Sequence, residues 1–132
     1  MRIYAYIAEY EGLLKEILEA YELDVSVNVI PYNVRSLSTD DIIVHGFMKK
    51  NIYTKGEYDI FITKDFDYDM KKFLIHECAH IEQYEKGLLE VKDGKEYWMG
   101  KEIDFKSDYH SRPHEKAARK RSREIKRLLR KK

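Results

Sequence analysis

With 132 residues, the chain is long enough for one domain with a modest hydrophobic core and too short for a separate substrate-binding or cofactor-binding domain. Its single cysteine excludes an internal disulfide framework, and no uncharged apolar run is long enough to span a bilayer. The N-terminal residues, MRIYAYIAEYEG, become acidic before any sustained apolar segment. We therefore expect one domain over residues 1–132 that is soluble and cytoplasmic and has no membrane partner.

The formal net charge of +1 conceals an asymmetry along the chain. Residues 116–132 contain ten Lys or Arg against one acidic residue, which leaves 15 basic and 23 acidic residues of the totals of 25 and 24. Residues 1–115 therefore carry a net charge of about −8. The sequence indicates an acidic body followed by a basic tail, about residues 116–132.

The first half of the chain predicts one helix and three strands. Apolar residues recur at helical spacing through residues 5–22, which favours an amphipathic helix. Residues 25–30 alternate as VSVNVI, residues 42–48 form a short β-branched and apolar run, and residues 58–63 read YDIFIT. These three patterns are typical of strands. They predict a small, mostly antiparallel sheet of about three strands.

The second half predicts two helices separated by a hairpin. The first helix begins near Asp67 or Asp69, either of which can cap it, and ends at Gly87. Residues 88–108 contain a candidate hairpin with glycine-containing turn signals. The last helix begins at Pro113, because proline is tolerated in a first helical turn, and continues to the C-terminus. The fold class is therefore α+β.

The motif His76-Glu77-Cys78-Ala79-His80 lies in the middle of the first of these helices. Residues four apart on a helix differ by about 40° in direction and about 6 Å in height, so both imidazoles project from one face. That geometry is half of a zinc site. Glu77 falls within an apolar arc, where a carboxylate needs a partner, and the position suits a general base. The other interpretation is two polar-face histidines beside a solvated glutamate. Cys78 points away and is predicted to pack in the core.

A catalytic zinc site needs a third protein ligand and an open position. The segment YHSRPHEKAAR offers three candidates for that ligand: His110, His114 and Glu115. Spacing alone does not choose among them.

Two motifs of this chain resemble those of the gluzincin zinc metallopeptidases, and in particular the single-domain minigluzincins. The pattern H-E-x-x-H-x-x-Q comprises His76, Glu77, His80 and Gln83, and the pattern Y-x-x-R-P-x-E-x-x-A comprises Tyr109, Arg112, Pro113, Glu115 and Ala118. The resemblance covers roughly residues 58–120 and implies a zincin-like fold in which Glu115, on a downstream glutamate helix, completes the metal site. A site that uses His114 instead stays an alternative. Metzincins are excluded, because Gln83 and Lys86 stand where their motif has Gly and His.

The resemblance implies a function and a set of roles. Zn²⁺ is the implied cofactor, and the implied reaction is hydrolysis of a peptide bond by metal-activated water with Glu77 as general base. Tyr109 or His110 would donate a hydrogen bond to the developing oxyanion. A peptide or an unfolded protein is the implied substrate, and it would pair as an added strand with an edge strand at Tyr58–Thr63.

The basic tail has three interpretations. It forms a helix with one narrow packed stripe and a solvated basic face, or it associates with nucleic acid, which the lack of interleaved aromatic residues disfavours. The third is that it docks on the acidic body, in its own chain or in a homo-oligomer, and blocks the cleft, since minigluzincins are similar in being latent. The alternative to an enzyme is a non-enzymatic zinc-stabilised module whose basic tail associates with nucleic acid or a protein partner.

Overall fold

A computed structural model describes residues 1–33, 37–39 and 42–131 of the protein. Within these residues the structure is α+β, with three α-helices, a mixed sheet of four strands, an antiparallel sheet of three strands and a two-stranded antiparallel pair. No helix in the described part of the chain is both long enough and apolar enough to cross a membrane.

The chain begins with one strand and one helix, followed by five strands, a second helix, three short strands and a third helix. The helices are α1 (Ala8–Ala20), α2 (Met70–Glu85) and α3 (Pro113–Arg130), with a 3₁₀ turn at Tyr109–Ser111. The strands are β1 (Arg2–Ala5), β2 (Ser26–Tyr32), β3 (Leu37–Thr39), β4 (Ile42–Val44), β5 (Gly46–Lys50), β6 (Glu57–Thr63), β7 (Leu89–Lys92), β8 (Lys95–Trp98) and β9 (Lys101–Glu102).

The main sheet has the strand order β1-β2-β6-β5. The β1–β2 and β2–β6 pairs are parallel, and the β5–β6 pair is antiparallel. The prediction of a mostly antiparallel sheet of about three strands is therefore wrong. Two long connections explain the difference, because α1 joins β1 to β2 and a segment that includes β3, β4 and β5 joins β2 to β6. Connections of that length allow parallel pairing, which a local residue pattern does not reveal.

The strand predicted as the sheet edge lies in its interior. β6 is hydrogen-bonded to β2 on one side and to β5 on the other, and its side chains Tyr58, Ile60 and Ile62 are almost fully buried. The predicted strand at residues 42–48 divides at His45 into β4 and β5. β5 takes the outer position because it forms a hairpin with β6, and it is therefore the edge strand beside α2.

The boundaries of α2 and α3 and the second sheet agree with the local sequence signals, whereas the first helix, predicted over residues 5–22, spans Ala8–Ala20 because residues 2–5 form β1. Asp69 caps α2 by accepting a hydrogen bond from the Lys72 backbone N–H at 3.1 Å, and Gly87 follows the helix at φ 73°. The predicted hairpin is confirmed as β7–β8, with both Asp93 and Gly94 in the left-handed conformation that a tight hairpin turn requires. β9 adds a short third strand. α3 begins at Pro113 as predicted.

One hydrophobic core joins the main sheet to all three helices. It includes Leu14, Ile17 and Leu18 of α1, Val27 and Val29 of β2, Ile60 of β6, Leu74, Ile75 and Cys78 of α2, and Ala118, Ile125 and Leu129 of α3. Cys78 is fully buried, so its predicted role in core packing is confirmed. α2 has an apolar side facing this core and a second side that contacts α3, which leaves its histidines at the helix–helix boundary.

The basic tail continues α3 up to Arg130 rather than forming a separate segment. Ala118, Ile125 and Leu129 are buried along one side of the helix, which confirms the predicted narrow packed stripe. Arg121 forms a forked ion pair with Glu82 of α2, at 2.9 and 3.1 Å. Residues 122–132 therefore contribute buried side chains to the core in addition to positive charge, and deleting them would remove both.

The buried stripe of α3 gives a test of this packing. Ile125→Ala leaves a cavity at a fully buried position, so the free energy of unfolding should fall by about 2–4 kcal/mol in urea denaturation. Leu128→Ala, on the same helix at a side chain that is 46% exposed, should change it by less than about 0.5 kcal/mol. Equal losses in the two variants would contradict the described orientation of α3.

Candidate metal centre

The contact between α2 and α3 brings three potential metal ligands together. His76 Nε2 lies 2.9 Å from Glu115 Oε1, and His80 Nε2 lies 3.1 Å from the same oxygen. One donor atom from each of the three side chains lies within 4.8 Å of the others. His80 and Glu115 are buried, and His76 is partly exposed at the floor of an open cleft. Among the three candidates for the third ligand, Glu115 is the one that meets both histidines.

Glu115 reaches the histidines because it lies in the first turn of α3. The helix begins after Arg112, whose carbonyl accepts the Glu115 backbone N–H at 3.0 Å. The Arg112 side chain donates to the carbonyls of Phe105 at 2.9 Å and Ser107 at 3.2 Å, and its guanidinium lies over the rings of Phe105 and Tyr109. Arg112 thus holds the preceding loop against the start of α3. This arrangement gives a physical reason for the Y-x-x-R-P-x-E spacing.

Gln83 determines which nitrogen of His80 faces Glu115. The Gln83 side-chain N–H donates to the His114 carbonyl at 3.0 Å, and since a carbonyl only accepts, the amide orientation is determined. The Gln83 amide oxygen then lies 2.9 Å from His80 Nδ1, which must carry the hydrogen. His80 Nε2 is the nitrogen left to bind a metal. The sequence motif includes Gln83, but this role becomes visible only from the contacts.

We call His76, His80 and Glu115 the ligand group. Burial and charge shift the pKa values of side chains in and beside this group in opposite directions. Burial alone would raise the pKa of Glu115, but hydrogen bonds from His76 and His80 hold that pKa well below its usual range. Burial alone would lower the pKa of His80, but the hydrogen bond to Glu115 and the charges of Glu115 and Glu77 raise it to about 9. Burial raises the pKa of Glu77, with the two histidines opposing and Glu115 adding to the rise. Without a metal, His80 and Glu115 therefore form a buried ion pair, and His76 is hydrogen-bonded to the same carboxylate.

The donor set fits a divalent transition-metal ion. Two imidazole nitrogens and one carboxylate oxygen bind zinc at about 2.0–2.2 Å, which places tetrahedral ligands about 3.4 Å apart. The two histidine–carboxylate separations of 2.9 and 3.1 Å are slightly shorter than this spacing, and all three donor atoms lie within 4.8 Å, so side-chain rotation could bring them to it. The same donors also bind other first-row divalent ions, so the group is not specific to zinc.

His114 lies behind Glu115 rather than beside the Nε2 atoms of the two other histidines. Its Nε2 is 3.4 Å from Glu115 Oε2, the oxygen that does not face the histidine pair, and it does not belong to the three-residue group. Burial lowers the pKa of His114 to about 4 against the opposing charge of Glu115, so its ring is neutral at neutral pH. His114 is therefore a neutral neighbour of the second oxygen of Glu115.

The predicted catalytic side chains line the same cleft, which has a volume of about 920 Å³. Glu77 is partly buried next to the ligand group, and Tyr109 lies close enough to Glu115 for the two side chains to interact. Burial and the charges of Glu115 and Glu77 raise the pKa of Tyr109, so its hydroxyl remains a donor. The exposed His110 ring packs edge-on against Tyr109 at 5.6 Å between centroids. Of the two predicted donors, Tyr109 is the one in contact with the ligand group.

The sequence interpretation predicted a strand over residues 42–48 but did not place it at the cleft, where β5 forms a wall. Gly46, Phe47 and Met48 of β5 line the cleft. A Cβ at Gly46 would lie 2.6 Å from both the Phe61 carbonyl oxygen and the Phe73 ring, so this position requires glycine. The sequence signal was a lone glycine inside an apolar strand pattern, which often marks a close approach of another chain segment.

No protein-family model, curated protein or solved structure matches this chain. The metal-site interpretation therefore rests on the geometry of His76, His80 and Glu115 and on the chemistry of their donors. The family resemblance of the two motifs stays a prediction.

The hydrogen bond between Gln83 and His80 gives a test of metal binding. Gln83→Met keeps the side-chain volume but removes both the acceptor at His80 Nδ1 and the donor to the His114 carbonyl, so zinc affinity should fall about 10- to 100-fold while the core preserves the fold. Affinity would be measured by competition with a chromogenic chelator, and folding by circular dichroism. Lys71→Met, at an exposed position of the same helix, is the control and should leave zinc affinity unchanged.

The raised pKa of His80 predicts that metal binding depends on pH. His80 is protonated below pH about 9 in the metal-free protein and must lose that proton to bind a metal, so affinity should rise as pH rises. From about pH 6 to about pH 8, the apparent Kd for zinc should fall at least about tenfold. Titration calorimetry in buffers of different ionisation enthalpy would also detect the released proton. A Kd independent of pH, with no proton release, would contradict the described ion pair between His80 and Glu115.

Proposed function

We propose that the protein is a zinc-dependent metallopeptidase with a zincin-like fold, similar to the gluzincins and to the single-domain minigluzincins among them. The observation that carries the proposal is the position of Glu115, which reaches both histidines of the H-E-x-x-H motif from a different helix. Chance occurrence of a five-residue motif does not account for a third ligand of the right chemistry at that point. The open cleft above the group gives a substrate access to it.

Glu77 is the proposed general base. A bound zinc ion supplies a Lewis acid that polarises the scissile carbonyl and lowers the pKa of water toward neutrality. Glu77 lies beside the ligand group on the cleft side, and its raised pKa suits a carboxylate that accepts a proton and then transfers it to the leaving amine. In this role Glu77 does not need to bind the metal.

Tyr109 is the proposed donor to the oxyanion. Its hydroxyl stays protonated and lies at the ligand group, where negative charge develops on the substrate carbonyl oxygen. His110 lines the same cleft one residue further along and is the alternative donor. Arg112 supports Tyr109 by stacking on its ring at 5.4 Å.

A peptide or an unfolded protein is the proposed substrate, bound in an extended conformation along β5. This strand replaces Tyr58–Thr63 as the pairing strand, because β6 already has neighbours on both sides. Backbone hydrogen bonds to an edge strand do not depend on side chains, so they suit many sequences. Phe47 and Met48 would contact the substrate side chains from the cleft wall.

The proposal still includes latency, meaning that protein segments block the cleft, but the blocking segment differs from the one predicted. The part of the tail that lies in α3 forms a wall of the cleft, through Arg119, Ser122, Arg123 and Lys126. A block of the cleft would therefore come from a second copy in a homo-oligomer rather than from a tail that folds back over its own site. Activity per chain that falls as protein concentration rises would support such a block.

The decisive test is Glu77→Gln, which removes the base and leaves the three ligands in place. Zinc content should stay near that of the wild type, and cleavage of a reduced, carboxymethylated protein should fall about 10²- to 10⁴-fold. Glu16→Gln, the same substitution at an exposed position of α1, is the matched control and should keep full activity. Undiminished cleavage by Glu77→Gln would remove Glu77 from the mechanism.

Removal of zinc with a chelator separates the enzyme from its alternative. A zinc-stabilised, non-enzymatic module would bind zinc through His76, His80 and Glu115, show no cleavage in the wild type at any concentration, and lose its folded structure in chelator. The peptidase proposal expects cleavage that stops on chelation and returns with zinc, in a chain that stays folded throughout.

A further inference from the structure

The cleft contains a second group of charged side chains beyond the ligand group. Lys72 of α2 and Arg119, Arg123 and Lys126 of α3 all line it. We call these four residues the basic strip. None of the metal-site roles described above uses them.

The basic strip continues the same helix faces that carry the metal ligands. Lys72 lies four residues before His76, and Arg119 and Arg123 lie four and eight residues after Glu115. Positions four apart share one side of a helix. The two helices are antiparallel, because His80 meets Glu115 while Lys72 and Lys126 are close enough for their charges to interact. The strip therefore extends along the cleft in one direction from the ligand group.

The positive charges of the strip are not balanced by ion pairs within 4 Å among the described residues. Lys72 lies over the Tyr68 ring at 5.7 Å, and Arg119 donates to the His110 carbonyl. Burial and repulsion from Lys72 and Arg130 lower the pKa of Lys126, with only Asp69 opposing. Arg121 on the same helix differs, because it pairs with both Glu82 and Glu124. Since no described residue forms an ion pair with the strip within 4 Å, the strip is placed to bind a negative group of another molecule.

The positive charge of the strip contrasts with the acidic body of the chain. Residues 1–115 carry a net charge of about −8 and residues 116–132 about +9, so the formal charge of the whole chain is only +1. Cations that line a cleft and have no acidic partner within 4 Å among the described residues concentrate anions there. The acidic side chains in the cleft are Glu77 and Glu115 at the ligand group and Glu96, which accepts from Tyr84 at 3.4 Å.

We propose that the cleft selects peptide segments carrying acidic residues at positions that extend from the scissile bond along the basic strip. This inference rests on the proposed peptidase function and specifies its substrate class. From Glu115 to Lys126 the helix rises about 16 Å, and an extended peptide advances about 3.3 Å per residue. The acidic positions therefore lie about two to five residues from the bond that is cut, all on one side of it.

Binding is measured in the zinc-loaded Glu77→Gln variant, which holds substrate without cutting it. Fluorescein-labelled ten-residue peptides would carry either Asp and Glu or the matching Asn and Gln, and anisotropy would give each Kd at about 0.05 M and about 0.2 M salt. The acidic peptide should bind about tenfold more tightly, and the difference should shrink at the higher salt concentration. Equal affinity of the two peptides would overturn the proposal.

Charge substitutions in α3 locate the selecting residues. When Arg123→Gln and Lys126→Gln are added to the Glu77→Gln variant, the preference for the acidic peptide should fall to within about twofold. Lys120→Gln with Arg127→Gln, two exposed residues of the same helix, removes equal charge outside the cleft and should keep the preference. Thermal unfolding of each variant verifies that the fold is retained. A preference lost equally in both pairs would overturn the assignment to the strip.

Two further outcomes separate this inference from the function on which it rests. Wild-type cleavage of a mixed peptide library with no acidic enrichment would overturn the inference and leave the peptidase intact. Selective binding of the acidic peptide without any cleavage by the wild type would support the strip and overturn the peptidase. A single-stranded oligonucleotide that displaces the acidic peptide at lower concentration than the unlabelled peptide itself would overturn the choice of a peptide partner in favour of nucleic acid.

Discussion

The packing of α2 against α3 is the constraint on which the rest of the site depends. Glu115 is 35 residues from His80 in sequence, yet its carboxylate lies 3.1 Å from the His80 ring. Two contacts hold the helices at this distance, the hydrogen bond from Gln83 to the His114 carbonyl and the ion pair between Arg121 and Glu82. In α3 these two contacts lie on either side of Ala118, which is fully buried.

The same packing explains how the chain can bury charged groups without a metal. A buried carboxylate is costly unless it is paired, and Glu115 has an imidazole partner on each side. The core of α1, β2, β6 and the inner side of α2 is continuous and lies outside this group. Folding therefore does not have to depend on metal binding as it does in small zinc-stabilised modules. A metal would instead replace a proton on His80 within a framework that is already assembled.

The features that could be predicted from the sequence are those whose causes are local. Asp69 caps α2, Pro113 begins α3, and His76 and His80 share a helix face, because each depends on neighbours within a turn or two. Strand order depends on distant partners instead. The pattern YDIFIT predicts a strand, and alternation distinguishes its two faces but not an edge from an interior position. Asp59 fits the interior because Asn28 of β2 donates to it at 3.0 Å. The four-residue β1 is too short to show a period at all.

Charge counting does not distinguish the individual basic residues of the tail, for a related reason. The basic residues of the tail look equivalent in sequence, but α3 gives them three different surroundings: Arg121 pairs with α2, Arg123 faces the cleft and Arg127 faces away from it. One helix thus carries a candidate metal ligand, a core stripe and a cleft wall on successive sides. Because a helix turns about 100° per residue, a change of one position moves a side chain from one of these surroundings to another. An insertion of one residue after Glu115 would therefore displace the core stripe and the basic strip together, whereas substitutions on the outer side of α3 leave both in place.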